Sequence, residues 1–298
     1  MFAAVLLLAF WLPAETPGAA HAKGAAEFKL HHYKEADDLL LAAAKEEPAD
    51  SPPWRESVLM LAESLYLSAR TGDAIPWLEK ARAFAPDEPE IEYMLANSYV
   101  QNREPEKSVA AFARLFGVAG DSPSAHVLSG RMMIRQEFEE DAVKQLRRAL
   151  ELNPKIPQAH YMLGEIAIYR GRFDDAIAEL KQEIAVNPGF SMAYYKLGDA
   201  WGRREQWDQA IPELERAVWL DPAYSGPYIL LGKAYFKQNR LAEAENVLRR
   251  ALKLDPRNVS ASYLLGQTLV REGQAAEGRE FLHRAEDLNR AKDAGGSQ

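Results

Sequence analysis

The sequence predicts an all-α fold, an α-solenoid of about eight stacked helix–turn–helix units. Three observations predict it. An Asn-Pro or Asp-Pro pair recurs with its proline at Pro154, Pro188, Pro222 and Pro256, 34 residues apart each time. Each pair leads to Leu-Gly at a fixed distance, as in "ELNPKIPQAHYMLGE" (Glu151–Glu165), "VNPGFSMAYYKLGD" and "LDPAYSGPYILLGK". With the proline set thirty-second in each block, small residues also fall into register: the eighth position reads Ala62, Ala96, Gly130, Gly164, Gly198, Gly232 and Gly266. A period of this size marks an array, because one helix pair cannot bury both its faces and neighbours must stack.

The chain opens on a segment unlike the rest. Phe2 to Leu12 is an unbroken apolar run, and Ala20-His21-Ala22 follows as an A-x-A pattern. An apolar run of about 7–15 residues before small residues has the form of a secretory signal. Residues 1–22 therefore read as a signal peptide, whose removal leaves Lys23 first. The competing reading is an N-terminal membrane anchor, for which the run is short of the ~20 apolar residues a spanning helix needs.

The array is expected over residues 23–292. Its first block, 17–50, carries Gly24, Ala36, Leu40 and Pro48 in phase, and cleavage after Ala22 would truncate or fray its first helix. About four extra residues around "DSPPW" precede block 55–88; blocks 89–122, 123–156, 157–190, 191–224, 225–258 and 259–292 then follow without a gap. In block 157–190, Tyr161, Leu163, Gly164 and Ala167 mark a first helix, with Gly171 as its C-cap. Ala176, Ile177, Leu180 and Ile184 mark a second, which Pro188 ends. The small positions let the two helices approach closely while large neighbours fill the groove beside them.

Two blocks depart from the pattern. Block 89–122 has Gly120 where proline is expected, which predicts a looser bend. Block 259–292 has Gly278 and Arg290 in place of alanine and proline, and its charged second helix is expected to cap the open end of the stack. Residues 293–298 are expected to be a disordered tail.

This pattern resembles the tetratricopeptide repeat family, whose unit of 34 residues carries aromatic-x2-Leu-Gly-x2-Tyr, then Ala, an aromatic or Leu, Ala and Pro. Block 225–258 matches nearly throughout, at Tyr228, Leu231, Gly232, Tyr235, Ala244, Leu248, Ala251 and Pro256. The resemblance covers about Ala19 to Lys292. It implies a right-handed superhelix in which the first helix of each repeat lines a concave, ligand-binding face.

Carried onto this sequence, the groove positions of that family are tyrosine-rich and biased to basic residues. The fifth position supplies Tyr93, Tyr161, Tyr195 and Tyr263, and the twelfth Phe236. The ninth gives Asn97, Arg131 and Lys233, and the thirteenth Arg135, Arg203, Lys237 and Arg271, with Glu165 and Asp199 among them. Tyrosine offers contact area at low entropy cost, and Arg or Lys would pair with carboxylates of a bound segment. Asn97 is the one asparagine at a ninth position, so the paired Lys and Asn of the family's carboxylate clamp are not present.

Other chemistry finds little footing. A net charge of −8, from 36 basic and 44 acidic residues, argues against nucleic acid as partner. Cysteine is absent, which excludes disulfides, thiolate metal sites and a cysteine nucleophile. "GPYILLGKA" is one residue too long for a phosphate-binding loop and lacks its Ser or Thr. His126 and His160 both sit at the fourth repeat position, where packing explains them better than metal binding, and Asp174-Asp175 reads as a helix N-cap.

The expected function is that of a non-enzymatic scaffold without cofactor or metal, holding a peptide or helix of another protein, an acidic one included. Exported bacterial members of the family suggest envelope assembly, secretion or polysaccharide machinery, with a periplasmic or secreted location. A small-ligand sensor or carrier using the superhelix interior, and an accessory module of a separate enzyme, are the alternatives.

Overall fold

The computed structural model describes residues 18–295, with side chains described through 292. The apolar run Phe2–Leu12 lies outside the described residues, as do residues 296–298 of the expected tail. The described residues form sixteen α-helices and no strand. They divide after Leu152 into two compact units. Unit 1 holds α1 (Ala19–Lys29), α2 (Tyr33–Glu46), α3 (Pro52–Leu67), α4 (Thr71–Phe84), α5 (Pro89–Gln101), α6 (Pro105–Leu115), α7 (Pro123–Arg135) and α8 (Glu139–Leu152). Unit 2 holds α9 (Ala159–Tyr169), α10 (Phe173–Val186), α11 (Ser191–Arg203), α12 (Trp207–Leu220), α13 (Ser225–Lys237), α14 (Leu241–Leu254), α15 (Val259–Arg271) and α16 (Ala275–Gly295). This is the all-α solenoid that the period predicts.

Within each unit every helix packs on the next in sequence. Odd helices also touch odd helices: α1, α3, α5 and α7 in unit 1, and α9, α11, α13 and α15 in unit 2. No pair of even helices among the described residues packs comparably. The odd helices therefore form the tighter layer of each unit, as expected for the first helix of each repeat.

Local chemistry sets the helix ends. At the fifteenth position of all eight blocks the backbone is left-handed: His31, Ala69, Arg103, Glu137, Gly171, Glu205, Asn239 and Gly273 have φ between 58 and 89°. The next N–H then reaches back five residues, as from Arg240 to the Tyr235 carbonyl and from Gln274 to that of Leu269, both 2.9 Å. That closure satisfies carbonyls a helix end leaves open. Only Gly171 and Gly273 are glycine, although a side chain in this region costs on the order of 1 kcal/mol. Glu205→Gly is expected to stabilise unit 2 by about 0.5–1 kcal/mol; thermal melts in which the variant unfolds earlier than the parent would refute this.

Even helices stop for another reason. α2, α4, α8, α10, α12 and α14 each end two residues before a proline, which cannot continue a helix and biases its predecessor to extended backbone. Where proline is missing, the ends move. α6 closes early, at Leu115, and turns on left-handed Gly117 (φ 62°). α16 runs through Gly295, past the array boundary expected at 292. The extra residues around Pro52 join α3 as an added turn, with the Ser51 hydroxyl accepting from the Trp54 N–H at 3.3 Å.

The two helices of a block meet across the eighth and twenty-fourth positions. A Cβ built on Gly130, Gly164, Gly198 or Gly232 would stand 2.5–3.0 Å from Cγ of Leu146, Leu180, Leu214 or Leu248. Those leucines have no exposed surface, so the missing side chain is the space the leucine occupies. Where both Ser108 and Ser129 replace the usual Ala and Leu, their buried hydroxyls lie 3.2 Å apart and bond each other.

The first helix starts at Ala19, ahead of the expected cut after Ala22. His21 is 4% exposed, and its Nδ1 lies 2.7 Å from Ser57 Oγ, which donates to Glu47 Oε2 at 2.8 Å. Removing residues through Ala22 strips this contact and the first turn of α1. A chain starting at Lys23 is therefore expected to be less stable than one starting at Gly18 by about 1–2 kcal/mol. Identical denaturation curves for the two would show that His21 contributes nothing.

Candidate functional site

The odd-helix face of unit 2 carries a run of aromatic side chains at repeat spacing. Tyr161 on α9 meets Phe190 edge-on, with ring centroids 5.0 Å apart. One repeat later Tyr195 on α11 meets Tyr224 in the same way, at 5.5 Å. In each pair the fifth position of a block contacts its thirty-fourth, the residue that leads into the next odd helix. The pairing follows from the fold, since successive odd helices are neighbours and the last residue of a block lies at the foot of the next. Phe236 and the 49%-exposed Tyr263 extend the face along α13 and α15.

The hydroxyls of Tyr161 and Tyr195 are held neutral. Burial pushes the Tyr161 phenol far above its usual range, and Glu165, which accepts its hydrogen bond, adds to this. Burial first, then Tyr224 and Asp199, push Tyr195 up to about 12, against a smaller opposing effect of Arg203. Both therefore stay protonated over the physiological range and can donate a hydrogen bond while presenting a flat apolar ring.

The basic residues expected here are in large part engaged. Arg203 Nε lies 3.0 Å from Asp199, and Lys196 Nζ, which the sequence reading passed over, lies 2.8 Å from Glu165. Arg271 stacks 4.6 Å from the Phe236 ring and donates to the Phe236 carbonyl and to Asn239 Oδ1. Lys233 sits 5.7 Å from the Trp207 ring. Lys237 is exposed and makes no ion pair among the described residues. The face is thus aromatic and nearly charge-balanced rather than strongly basic.

Unit 1 looks different. Tyr93 on α5 is 44% exposed, and Arg131 and Arg135 on α7 are exposed. Asn97, expected on the groove surface, is instead 2% exposed: its Nδ2 donates to the Tyr93 carbonyl and its Oδ1 accepts from Gln136 Nε2. The crowding of the neighbouring odd helix turns a surface position into a buried junction. The structure thus gathers Tyr161 and Tyr195 into one cluster within unit 2, and in unit 1 it sets Tyr93 beside a buried asparagine.

Phe190, Tyr224 and Lys196 were missed by the sequence reading. An aromatic at the thirty-fourth position in two consecutive blocks was the available signal. His126 and His160 are packing residues: buried His126 lies 2.7 Å from both Gln145 Oε1 and Asp121 Oδ1, and His160 lies 2.7 Å from Glu179. Asp174 and Asp175 lie in the first turn of α10 rather than at its N-cap, which is Arg172, and pair with Arg204 and Arg172. No three His, Asp or Glu side chains among the described residues are grouped to hold a metal ion, and no described helix is long and apolar enough to cross a membrane.

Two models of the tetratricopeptide repeat match the chain, one over residues 134–168 and 161–226 and the other over 232–273. No curated protein sequence matches it. Among solved structures it is similar to MamA from Desulfovibrio magneticus RS-1, at 24% identity and a TM-score of 0.54 over 58% of this chain and 98% of that one. It is similar to YrrB, described as a TPR protein with an unusual peptide-binding site, at 21% identity and 0.53, over 60% and 93%. The C-terminal part of a TPR repeat-containing protein from Cytophaga hutchinsonii aligns over 80% of this chain and 98% of its own, at 14% identity and 0.54. These likenesses agree on the fold. With the period of 34, the eight helix pairs and repeat models that match residues 134–226 and 232–273, the chain belongs to the tetratricopeptide repeat family.

Proposed function

We propose that the chain is a non-enzymatic interaction scaffold that holds a segment of another protein, an extended peptide or a helix, along the odd-helix face of unit 2. The observation that carries this is the repeated aromatic pair, Tyr161 with Phe190 and Tyr195 with Tyr224, one block apart. Successive rigid rings offer several weak contacts in register, and stacked helices hold them in place before the partner arrives, so the partner bears most of the ordering cost. The tyrosine phenol oxygens can still accept from backbone N–H groups of the segment. Its acidic side chains meet Lys233 and Lys237. A peptide-binding site in the structurally similar YrrB supports the same class of ligand.

The apolar run Phe2–Leu12 and the A-x-A pattern support an exported protein, periplasmic, secreted or held to the membrane by that run, that serves envelope assembly, secretion or polysaccharide machinery.

Capture of partners from envelope extract by the parent and by Tyr195→Ala with Arg203→Glu tests the proposal. Recovery by the variant is expected to fall at least tenfold while its melting curve stays close to that of the parent. Equal recovery would remove this face from the account.

A further inference from the structure

From block 55–88 onward, three ninth positions carry a carboxylate: Glu63, Glu165 and Asp199. Two of them are neutralised within the chain. Glu165 takes Lys196 Nζ at 2.8 Å, from the sixth position of the following block. Asp199 takes Arg203 Nε at 3.0 Å, from the thirteenth position of its own block. For Glu63 on α3 those two positions are Met94 and Leu67, so neither source supplies a cation.

Glu63 is half-buried and has no hydrogen-bond or ion-pair partner among the described residues. Burial pushes its carboxyl above the usual carboxylate range. Its oxygens are nevertheless not enclosed, so an incoming group can reach them. Tyr66, one turn further along α3, reaches Asn97 and Tyr93 on α5, and the Tyr93 ring and the Leu67 side chain are exposed. A half-desolvated anion beside aromatic rings is costly when bare and gains from a cation that completes the pair. Unit 2 contains the completed form, with the Lys196 ammonium on Glu165 next to Tyr161.

We propose that the odd-helix face of unit 1 holds a lysine side chain of a partner protein, with its ammonium on Glu63. The compact ammonium donates to the carboxylate and is attracted to the tyrosine rings, while its alkyl stem lies along Met94 and Leu67. The residues of the partner that flank the lysine lie against the exposed Tyr93 ring. This contact involves none of the aromatic pairs of unit 2 and stands or falls apart from them.

Titration of the full chain with the peptide acetyl-Leu-Lys-Leu-amide, followed through backbone amide NMR signals, tests this. Saturable shifts in α3 and α5 are expected. The same peptide with norleucine for lysine should bind at least tenfold more weakly, and so should n-butylamine, which carries the ammonium without the flanking residues. Glu63→Gln keeps the shape of the side chain and removes its charge, and should weaken binding of the lysine peptide at least tenfold. Met94→Lys supplies from within the cation that Lys196 gives to Glu165, and should weaken it as much. Four results would overturn the proposal: no saturable binding, shifts confined to unit 2, a norleucine peptide or butylamine that binds as tightly, or parental affinity in either folded variant.

Discussion

Gly278→Leu is expected to pry the last helix pair apart at a cost of about 3 kcal/mol or more. The twentieth position is Ala or Ser in the other blocks, and the facing group decides what Gly278 can accept. At Gly278 it is backbone: a Cβ would stand 2.8 Å from the Gly266 carbonyl oxygen and 3.0 Å from the Val270 amide nitrogen, as well as 2.7 Å from Val270 Cγ2. Gly266 is in turn blocked by the Gly278 carbonyl at 2.8 Å, so the two glycines face each other's backbone. Neither helix can yield without moving as a whole, which is why overpacking here is costlier than against a flexible leucine. Hydrogen exchange should show faster opening of α15 and α16 with α9 to α12 little changed. The same substitution at Gly189, where nothing lies within 4 Å of a built Cβ, should leave the melt nearly unchanged.

Glu183→Ala is expected to destabilise unit 2 by about 2 kcal/mol and to loosen the start of α9. The twenty-seventh position is alanine in most blocks, fully buried against its neighbours at Ala81, Ala149, Ala217 and Ala251. Glu183 is just as buried, yet both its oxygens accept from the Gln158 N–H at 2.9 Å, and Oε2 accepts from the Tyr161 N–H at 3.3 Å. α9 needs this help because Gln158, its N-cap, is left-handed (φ 72°) and makes no side-chain cap. A carboxylate at a helix N-terminus pairs with its open N–H groups and with its dipole, which offsets the cost of burying the charge. Because Glu183 holds the backbone of Tyr161, its loss should also weaken partner capture. Glu183→Gln should retain part of both, since an amide oxygen still accepts. A variant with alanine that melts like the parent would mean the neighbours simply close over the site.

Much of this was legible in the sequence. Side chains spaced by 34 have no meaning outside an array, so Gly164, Leu180 and Pro188 define the helix pair from the sequence alone. The left-handed fifteenth position was legible only at Gly171 and Gly273, because residues such as Glu205 and Arg103 adopt that backbone under the pull of tertiary packing and leave no trace in composition. Asn97 shows the opposite failure. A repeat template treats its position as surface, but Gln136, the C-cap of the following odd helix, covers it. The aromatic face was half legible: Tyr161 and Tyr195 stood at a groove position, whereas Phe190 and Tyr224 sit in the turn before a helix and come close only because odd helices are neighbours. The pairing of Lys196 with Glu165 was invisible for the same reason, since it crosses from one block to the next.

Photo-crosslinking tests the central claim most directly. A benzophenone side chain is placed at position 195 on the odd-helix face, and separately at position 219, where Trp219 is 68% exposed on the even helix α12. Position 195 should yield a discrete adduct with a partner from envelope extract, competed by excess unlabelled parent chain, and position 219 should yield none. Adducts at 219 with none at 195 would place the partner on the opposite layer and contradict the account.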